Sequence, residues 1–248
     1  YVVVKPSDAG GRFTLVASVA APGSHGTSST ITKLSVGHPQ GGTVAKDNYR
    51  RFRLQTDDSS DFSVSVTPLP SSSVAVGGVR PEVDFYISTS GSVDSTHFEW
   101  KSEGQSGVST VLISASSASF CSACTYFVAV FGRTAANFSI VTSSSSGHTI
   151  LTANVPLQHH VAKDTYKYYT VPRQPSDVTA GIEVELEACH GKARLYLSQV
   201  AVEPDHIHCE KCGGSTSFHL SRQSVMQKPT YASVYGEEDA RYQLTIVS

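Results

Sequence analysis

The chain has 248 residues and a formal net charge of −2, and only 16% of its residues are charged. This length allows one large or two medium domains. The charge balance provides no basic surface for nucleic acid. No apolar run reaches the roughly 18–20 residues that a membrane-spanning helix requires.

The first predicted element is a β-hairpin over residues 1–20. Two alternating runs, YVVV and RFTLVASV, flank the turn-like PSDAGG, and this order is typical of paired strands. An isolated hairpin is marginal in water, so we expect it to contact an adjoining unit. The side chains predicted to make that contact are Tyr1, Val2, Val3, Val4, Phe13 and Leu15.

A first sandwich is predicted at residues 32–142, after a Ser-, Thr- and Gly-rich linker at 21–31. Its runs alternate apolar and polar residues, which indicates strands with one buried face. Turn-rich pieces such as DDSSD separate them. The runs are NYRRFRLQT, FSVSVTPL, VDFYIS, STVLISA, TYFVAVFG and NFSIVTS.

A second sandwich is predicted at residues 149–248, after a linker at 143–148. Its runs are YKYYTV, GIEVELEA, ARLYLSQV, STSFHLS, YASVYG and YQLTIVS. No segment of ten or more residues has a helical period. We therefore predict an all-β chain of tandem antiparallel β-sandwiches of jelly-roll type, with an additional N-terminal β-hairpin.

The two predicted sandwiches are copies of one sequence unit. TVAKDNYRRFRL in the first matches HVAKDTYKYYTV in the second, and the closing runs match as well. The opening hairpin matches the same closing segment, with Tyr1 aligned to Tyr126 and Tyr231. We therefore interpret residues 1–20 as the last hairpin of a unit whose first strands are absent. It completes either a preceding repeat or a sheet of a neighbouring molecule by strand addition.

The order YRRFRL, VSVTPL, VDFYIS, FEW, TYFVAVFG and NFSI resembles the bacterial pre-peptidase C-terminal domain. The resemblance implies a small jelly-roll-like sandwich of secreted proteins, some of which bind collagen or calcium. Similar modules occur in extracellular fibre glycoproteins of the mastigoneme type. The second unit departs from the motif, since Ala193 replaces Asp84. Aligning HFEWKSEG with HIHCEKCGG also puts Cys209 at the position of Trp100.

Four of the five cysteines form two C-x-x-C pairs. In an oxidised extracellular domain these predict local disulfides, Cys121–Cys124 and Cys209–Cys212. Cys189 is unassigned, and its pairing with Cys209 or Cys212 stays open.

Zinc binding is the alternative interpretation of the second C-x-x-C pair. Cys209 and Cys212 follow His206 and His208, and both residue types are zinc ligands. No second C-x-x-C lies at zinc-finger spacing, which favours the disulfide. We expect no metal.

Sugars are predicted at two kinds of sequence. Asn137-Phe-Ser is an N-glycosylation sequon that follows a turn. Short serine runs are candidate O-glycosylation sites. These serines are Ser71, Ser72, Ser73, Ser143, Ser144, Ser145 and Ser146.

Acidic turns offer oxygen ligands for calcium but lack EF-hand spacing, so we expect solvated turns. Their residues are Asp57, Asp58, Asp61, Glu237, Glu238 and Asp239. The sequence has no G-x-S-x-G elbow, H-E-x-x-H pair or phosphate-binding loop. We therefore expect neither an enzyme nor a cofactor.

These patterns predict a structural subunit of an extracellular fibre or surface coat, glycosylated and assembled head to tail through hairpin addition. Its expected partners are copies of itself or adjacent repeats, together with glycans. The alternative is a module of a secreted peptidase or adhesin that binds collagen, glycan or calcium. A zinc-dependent activity at the His/Cys cluster is a third hypothesis.

Overall fold

The computed structural model of the protein describes residues 31–56, 59–70, 80–104, 107–173 and 181–248. The predicted N-terminal hairpin and its contact residues lie outside the described residues. Ser71, Ser72, Ser73, Asp57 and Asp58 lie outside them as well.

Nine strands form the first sandwich among the described residues. They are β1 (Thr32–Leu34), β2 (Gln40–Val44), β3 (Tyr49–Gln55), β4 (Phe62–Leu69), β5 (Val83–Ser88), β6 (Trp100–Ser102), β7 (Ser109–Ile113), β8 (Thr125–Gly132) and β9 (Ala136–Ser144). One sheet has the order β1-β3-β8-β5-β6, and the other has the order β2-β9-β4-β7. β1 and β3 are parallel, while the remaining neighbours pair antiparallel.

The second sandwich repeats this topology strand for strand. Its strands are β10 (His148–Ile150), β11 (Leu157–Val161), β12 (Tyr166–Val171), β13 (Ile182–His190), β14 (Ala193–Ser198), β15 (Lys211–Cys212), β16 (Ser217–Leu220), β17 (Thr230–Gly236) and β18 (Ala240–Val247). The sheet orders are β10-β12-β17-β14-β15 and β11-β18-β13-β16. Each strand therefore has its counterpart nine places earlier, which confirms the predicted all-β sandwich fold.

The core of each sandwich follows from the period of two along the strands. In β4, Phe62, Val64 and Val66 point inward and are buried, because successive side chains of a strand face opposite sides. The same alternation in β13 buries Ile182 and Val184. Each sandwich therefore has its own apolar core between its two sheets.

One short helix was not anticipated. α1 (Arg222–Gln227) lies between β16 and β17, and the Ser221 side chain accepts a hydrogen bond from the Ser224 amide at its start. Its buried residue, Val225, packs into the second core. Six residues are too few for a recognisable helical period, so pattern analysis misses such a turn. Among the described residues, no helix is long and apolar enough to cross a bilayer.

Half of the segment predicted as the linker at 143–148 belongs to strands. Ser143 and Ser144 end β9, and His148 begins β10, which leaves only residues 145–147 between them. A serine-rich sequence indicates flexibility only when no sheet pairs with it, and here Ser143 and Ser144 pair with β4.

The expected match of Cys209 with Trp100 is wrong. Trp100 is the register partner of Ile87. The equivalent partner of Leu197 is Lys211. Lys211 therefore occupies the position of Trp100, because the sheet register determines which residues correspond.

Candidate functional site

The disulfides Cys121–Cys124 and Cys209–Cys212 are both present. Cys189 is free and exposed. Since Cys209 and Cys212 are bonded to each other, their sulfurs are not thiolate ligands for zinc in this form. No group of three or more His, Cys, Asp or Glu within the described ranges is arranged to hold a metal ion.

The histidines of the predicted zinc cluster have structural contacts. The Asp205 carboxylate accepts hydrogen bonds from the His208 amide at 2.6 Å and lies 3.0 Å from His208 Nδ1. These bonds lower the pKa of Asp205 to about 2, with the backbone bond from His208 the largest cause. Asp94 and His97 make the same turn in the first sandwich. The shared sequence feature is therefore a turn that positions the following strand.

The described acidic turns are engaged by other protein groups. Glu237 pairs with Arg194, and Glu238 pairs with Lys192. Asp61 accepts a hydrogen bond of 2.7 Å from the Ala115 amide. Each of these carboxylates therefore has a protein partner, and no bound ion is needed to explain its position.

The described candidate sugar sites differ in exposure. Asn137 in β9 and the serines Ser145 and Ser146 are exposed. Ser143 is only 2% exposed and accepts a hydrogen bond of 2.8 Å from Thr149 Oγ1. The prediction of an O-glycan at Ser143 is wrong, because its side chain is buried against Thr149 of the second sandwich.

The two sandwiches meet at a junction where an edge strand lies on a sheet face. Thr67 Oγ1 donates a hydrogen bond of 2.9 Å to the Pro156 carbonyl. Ser65 Oγ and Thr110 Oγ1 lie 3.2 Å and 3.0 Å from the Gln158 carbonyl. With Ser63, these three residues form the hydroxyl face of the first sandwich. It satisfies the carbonyl groups of Pro156 and Gln158, at the start of β11, an edge strand that otherwise exposes unpaired backbone.

His159 of β11 connects this face to the second core. Its Nε2 lies 2.9 Å from Ser63 Oγ, and its Nδ1 lies 2.6 Å from Tyr169 OH. Tyr169 OH lies 2.5 Å from Tyr242 OH. Burial, together with the nearby positive charge of Lys167, lowers the pKa of His159 to about 3. The imidazole is therefore neutral in the folded protein and has both ring nitrogens within hydrogen-bonding distance of a hydroxyl.

Gly37 provides the backbone contact of the junction. Its carbonyl accepts a hydrogen bond of 2.8 Å from the Ile150 amide, and its own amide donates to Thr142. Gly37 has φ +78°, and a Cβ there would lie 2.2 Å from the His148 carbonyl oxygen. Both the backbone conformation and the close approach therefore require glycine.

Lys167 adds a cation to the junction. Its Nζ donates a hydrogen bond of 3.3 Å to the Ser144 carbonyl. Burial lowers the pKa of Lys167, and the negative charge of Asp61 in the first sandwich opposes that effect. The lysine thus joins the end of β9 to the second sandwich.

The second sandwich does not repeat the hydroxyl face. The registers of β4 with β9 and of β13 with β18 align Ser65 with Glu185. The outward residues of β13 are Glu183, Glu185 and Glu187, of which the last two are exposed. Ionised carboxylates only accept hydrogen bonds. A further unit docked on this face must therefore bring its own donors.

Beside the junction lies a cleft of about 480 Å³. One wall belongs to β7 of the first sandwich, and the other belongs to the β11-β18-β13 surface of the second. We call it the junction cleft. Its lining includes Thr110, Leu112, His160, Cys189, His190 and Arg241.

No protein-family model matches the chain, and no curated protein matches it. Among solved structures, it is similar to the human CUB1-EGF-CUB2 domain of MASP-1/3, at 7% identity and a TM-score of 0.22, over 84% of this chain and 99% of that chain. It is also similar to the STIV MCP, at 10% identity and a TM-score of 0.19, over 86% and 93% of the two chains. These likenesses are too weak to support an argument about function.

Sequence reasoning missed the junction and its cleft. It predicted inter-unit contacts in the N-terminal hairpin, which lies outside the described residues. A signal was present in FSVSVTPL, where the outward positions carry Ser and Thr, while the matching run GIEVELEA carries Glu. The copy with small hydroxyl residues at its outward positions is the one whose sheet face is covered.

Proposed function

We propose that this chain is a structural subunit of an extracellular fibre or surface coat, built from sandwiches joined end to end. The observation that carries the proposal is the junction, in which the hydroxyl face of one sandwich receives the edge strand of the next. Such a contact is heterologous, because it joins different surfaces of the two sandwiches, and heterologous contacts can build open arrays. On the carboxylate face of β13 a further unit would dock through donors of its own. Residues 1–20, which match the closing hairpin of both sandwiches, would complete an adjoining sandwich in the same array.

Two features support the extracellular part of the proposal. Disulfides persist in oxidising compartments, and this chain has two. The Asn137 side chain is exposed and therefore accessible to a glycan. The resemblance of the strand motifs to pre-peptidase C-terminal and mastigoneme-type modules agrees with this location.

Sedimentation and electron microscopy test the assembly. The full chain is expected to form concentration-dependent linear assemblies, and a chain of residues 21–248 is expected to remain monomeric. Circular dichroism of both chains checks that the sandwiches stay folded. A full chain that remains a monodisperse monomer at all concentrations would overturn the proposal.

The ligand-binding alternative has one observation in its favour, the junction cleft. A pocket of this size at the boundary between two units is a usual place for a ligand. A binding module does not need to assemble, so a chain that binds a ligand and stays monomeric at every concentration would favour this alternative over the fibre subunit.

A further inference from the structure

Three side chains with nitrogen donors lie in one row on the wall of the junction cleft that belongs to the second sandwich. Arg241 of β18 is the register partner of His160 in β11 and of His190 in β13. Directly opposed residues of antiparallel strands face the same side, with Cβ atoms about 5 Å apart. All three side chains line the cleft, so their donor groups converge on one volume.

These three side chains lack partners within the described part of the chain. Nearby, Glu187 projects from the same sheet face but is the register partner of Gln243, one row away. Neither an ion pair nor a side-chain hydrogen bond joins Arg241, His160 or His190 to the described residues. Arg241 lies between two imidazoles and is not paired with any carboxylate that the structure describes. Its N–H groups are therefore available to a ligand.

The fold itself does not require this row. In the first sandwich the equivalent three positions are occupied by Thr43, Asn137 and Leu69, which have the same register relationship. They line a comparable cavity of about 430 Å³. The same scaffold position is therefore uncharged in one copy, so strand pairing does not explain the donors in the other.

We propose that the junction cleft binds a tetrahedral oxyanion, a sulfate or phosphate group, either free or carried as an ester on a saccharide. The planar guanidinium of Arg241 presents parallel N–H donors to two oxygens, and His160 and His190 donate from either side. The cleft of about 480 Å³ exceeds the volume of one oxyanion and leaves room for a sugar. Leu112, which is 47% exposed on the opposite wall, offers an apolar surface to the ring.

Cys189 provides a reporter inside the same cleft. It is the extra residue where the register shifts between Ala188 and His190, and such bulges redirect a side chain. The other four cysteines are in disulfides, so this is the single thiol of the sequence. A ligand in the cleft is expected to slow its alkylation by N-ethylmaleimide, which is uncharged and does not compete for the donors.

The test uses the full chain with three probes: a sulfated disaccharide, the same disaccharide without sulfate, and sodium sulfate. Calorimetric titration measures affinity, and mass spectrometry follows alkylation of Cys189. We expect the sulfated sugar to bind and protect the thiol, and the unsulfated sugar to do neither. Arg241→Gln should weaken binding at least about tenfold, because it removes a charge-assisted hydrogen bond. His190→Gln is an independent second variant.

Arg53→Gln is the matched control, since Arg53 is an exposed strand arginine in the first sandwich. Binding of sodium sulfate as tight as that of the sulfated sugar would support the site with a free anion as ligand. Tighter binding of the sugar would support the ester. Equal binding by the sulfated and unsulfated sugars would overturn the proposal. So would no protection by any probe, or equal losses in Arg53→Gln and Arg241→Gln.

Discussion

His159 shows how one position acquires different chemistry in the two copies. Its counterpart is Gly42, where the ring of Phe138 lies so close that a Cβ would be 2.5 Å from it. In the first copy Phe138 and Phe52 form an edge-to-face pair with ring centroids 5.9 Å apart. In the second copy both aromatic positions are tyrosines, and the hydroxyl of Tyr169 hydrogen-bonds to His159 and to Tyr242. These three polar side chains, His159, Tyr169 and Tyr242, are therefore linked to the junction through the contact of His159 with Ser63.

Acid should destabilise the folded protein through His159. Its pKa is about 3 when folded and about 6.5 when unfolded, so between these values the unfolded state binds a proton that the folded state does not. The contribution is complete above pH 6.5, and each pH unit below it costs up to about 1.4 kcal/mol. Urea unfolding of His159→Gln from pH 7 to 4 should give a shallower pH dependence than wild type. His38→Gln, at an exposed histidine, serves as the control, and equal slopes for wild type and His159→Gln would contradict this account.

Asn137 should carry an N-glycan when the chain passes through a eukaryotic secretory pathway. The side chain is exposed on β9, so the sugar projects into solvent without opening the core. Glycosidase treatment should lower the mass of the secreted protein, and Asn137→Gln should abolish that change. A secreted wild-type protein whose mass the enzyme leaves unchanged would exclude modification at this site.

Strands β4 and β13 both point apolar side chains inward, but their outward side chains differ in chemistry. Inward, both carry apolar side chains that build a sandwich core. Outward, β4 presents hydroxyl donors to a neighbouring edge strand, while β13 presents carboxylates. The outward set, rather than the fold, therefore determines what each sheet face binds.

Ser65→Glu copies the residue of β13 into β4 and should open the junction. The carboxylate would face the Gln158 carbonyl, and two acceptors in place of a hydrogen bond cost about 1–3 kcal/mol. Hydrogen exchange of β11 amides should become faster while exchange in the first core stays slow. Ser92→Glu, at an exposed position between β5 and β6 in the other sheet of the first sandwich, adds the same charge away from the hydroxyl face. Unchanged exchange in β11 would show that the hydroxyl face does not hold that strand.

The two sandwiches are connected by more than the short segment between them. Hydroxyl-to-carbonyl bonds, the buried histidine, Lys167 and the Gly37 backbone contact all act between units. Together these contacts should restrict rotation of one sandwich against the other. Such stiffness would suit the fibre subunit proposed above.

Gly37→Asn should uncouple the sandwiches. Asparagine tolerates the positive φ, as Asn154 does at the equivalent position with φ 58°, but its Cβ would overlap the His148 carbonyl. We expect a junction weaker by roughly 1–3 kcal/mol, a larger radius of gyration in solution scattering, and two resolved calorimetric transitions. Gly41→Ala is the control, because nothing lies within 4 Å of its added Cβ. Identical scattering from Gly37→Asn and wild type would refute the role of this contact.

The sequence by itself determined the strands, the repeat and the local disulfides. Alternation with period two is a local property, and cysteines three residues apart are held near each other by the chain. The tertiary structure alone decided the junction, because residues up to 96 positions apart, Ser63 and His159, meet there. It also decided that Ser143 is buried, that Lys211 takes the place of Trp100, and that His160, Arg241 and His190 form a row. Register and packing of distant segments determine those relationships, and no local pattern encodes them.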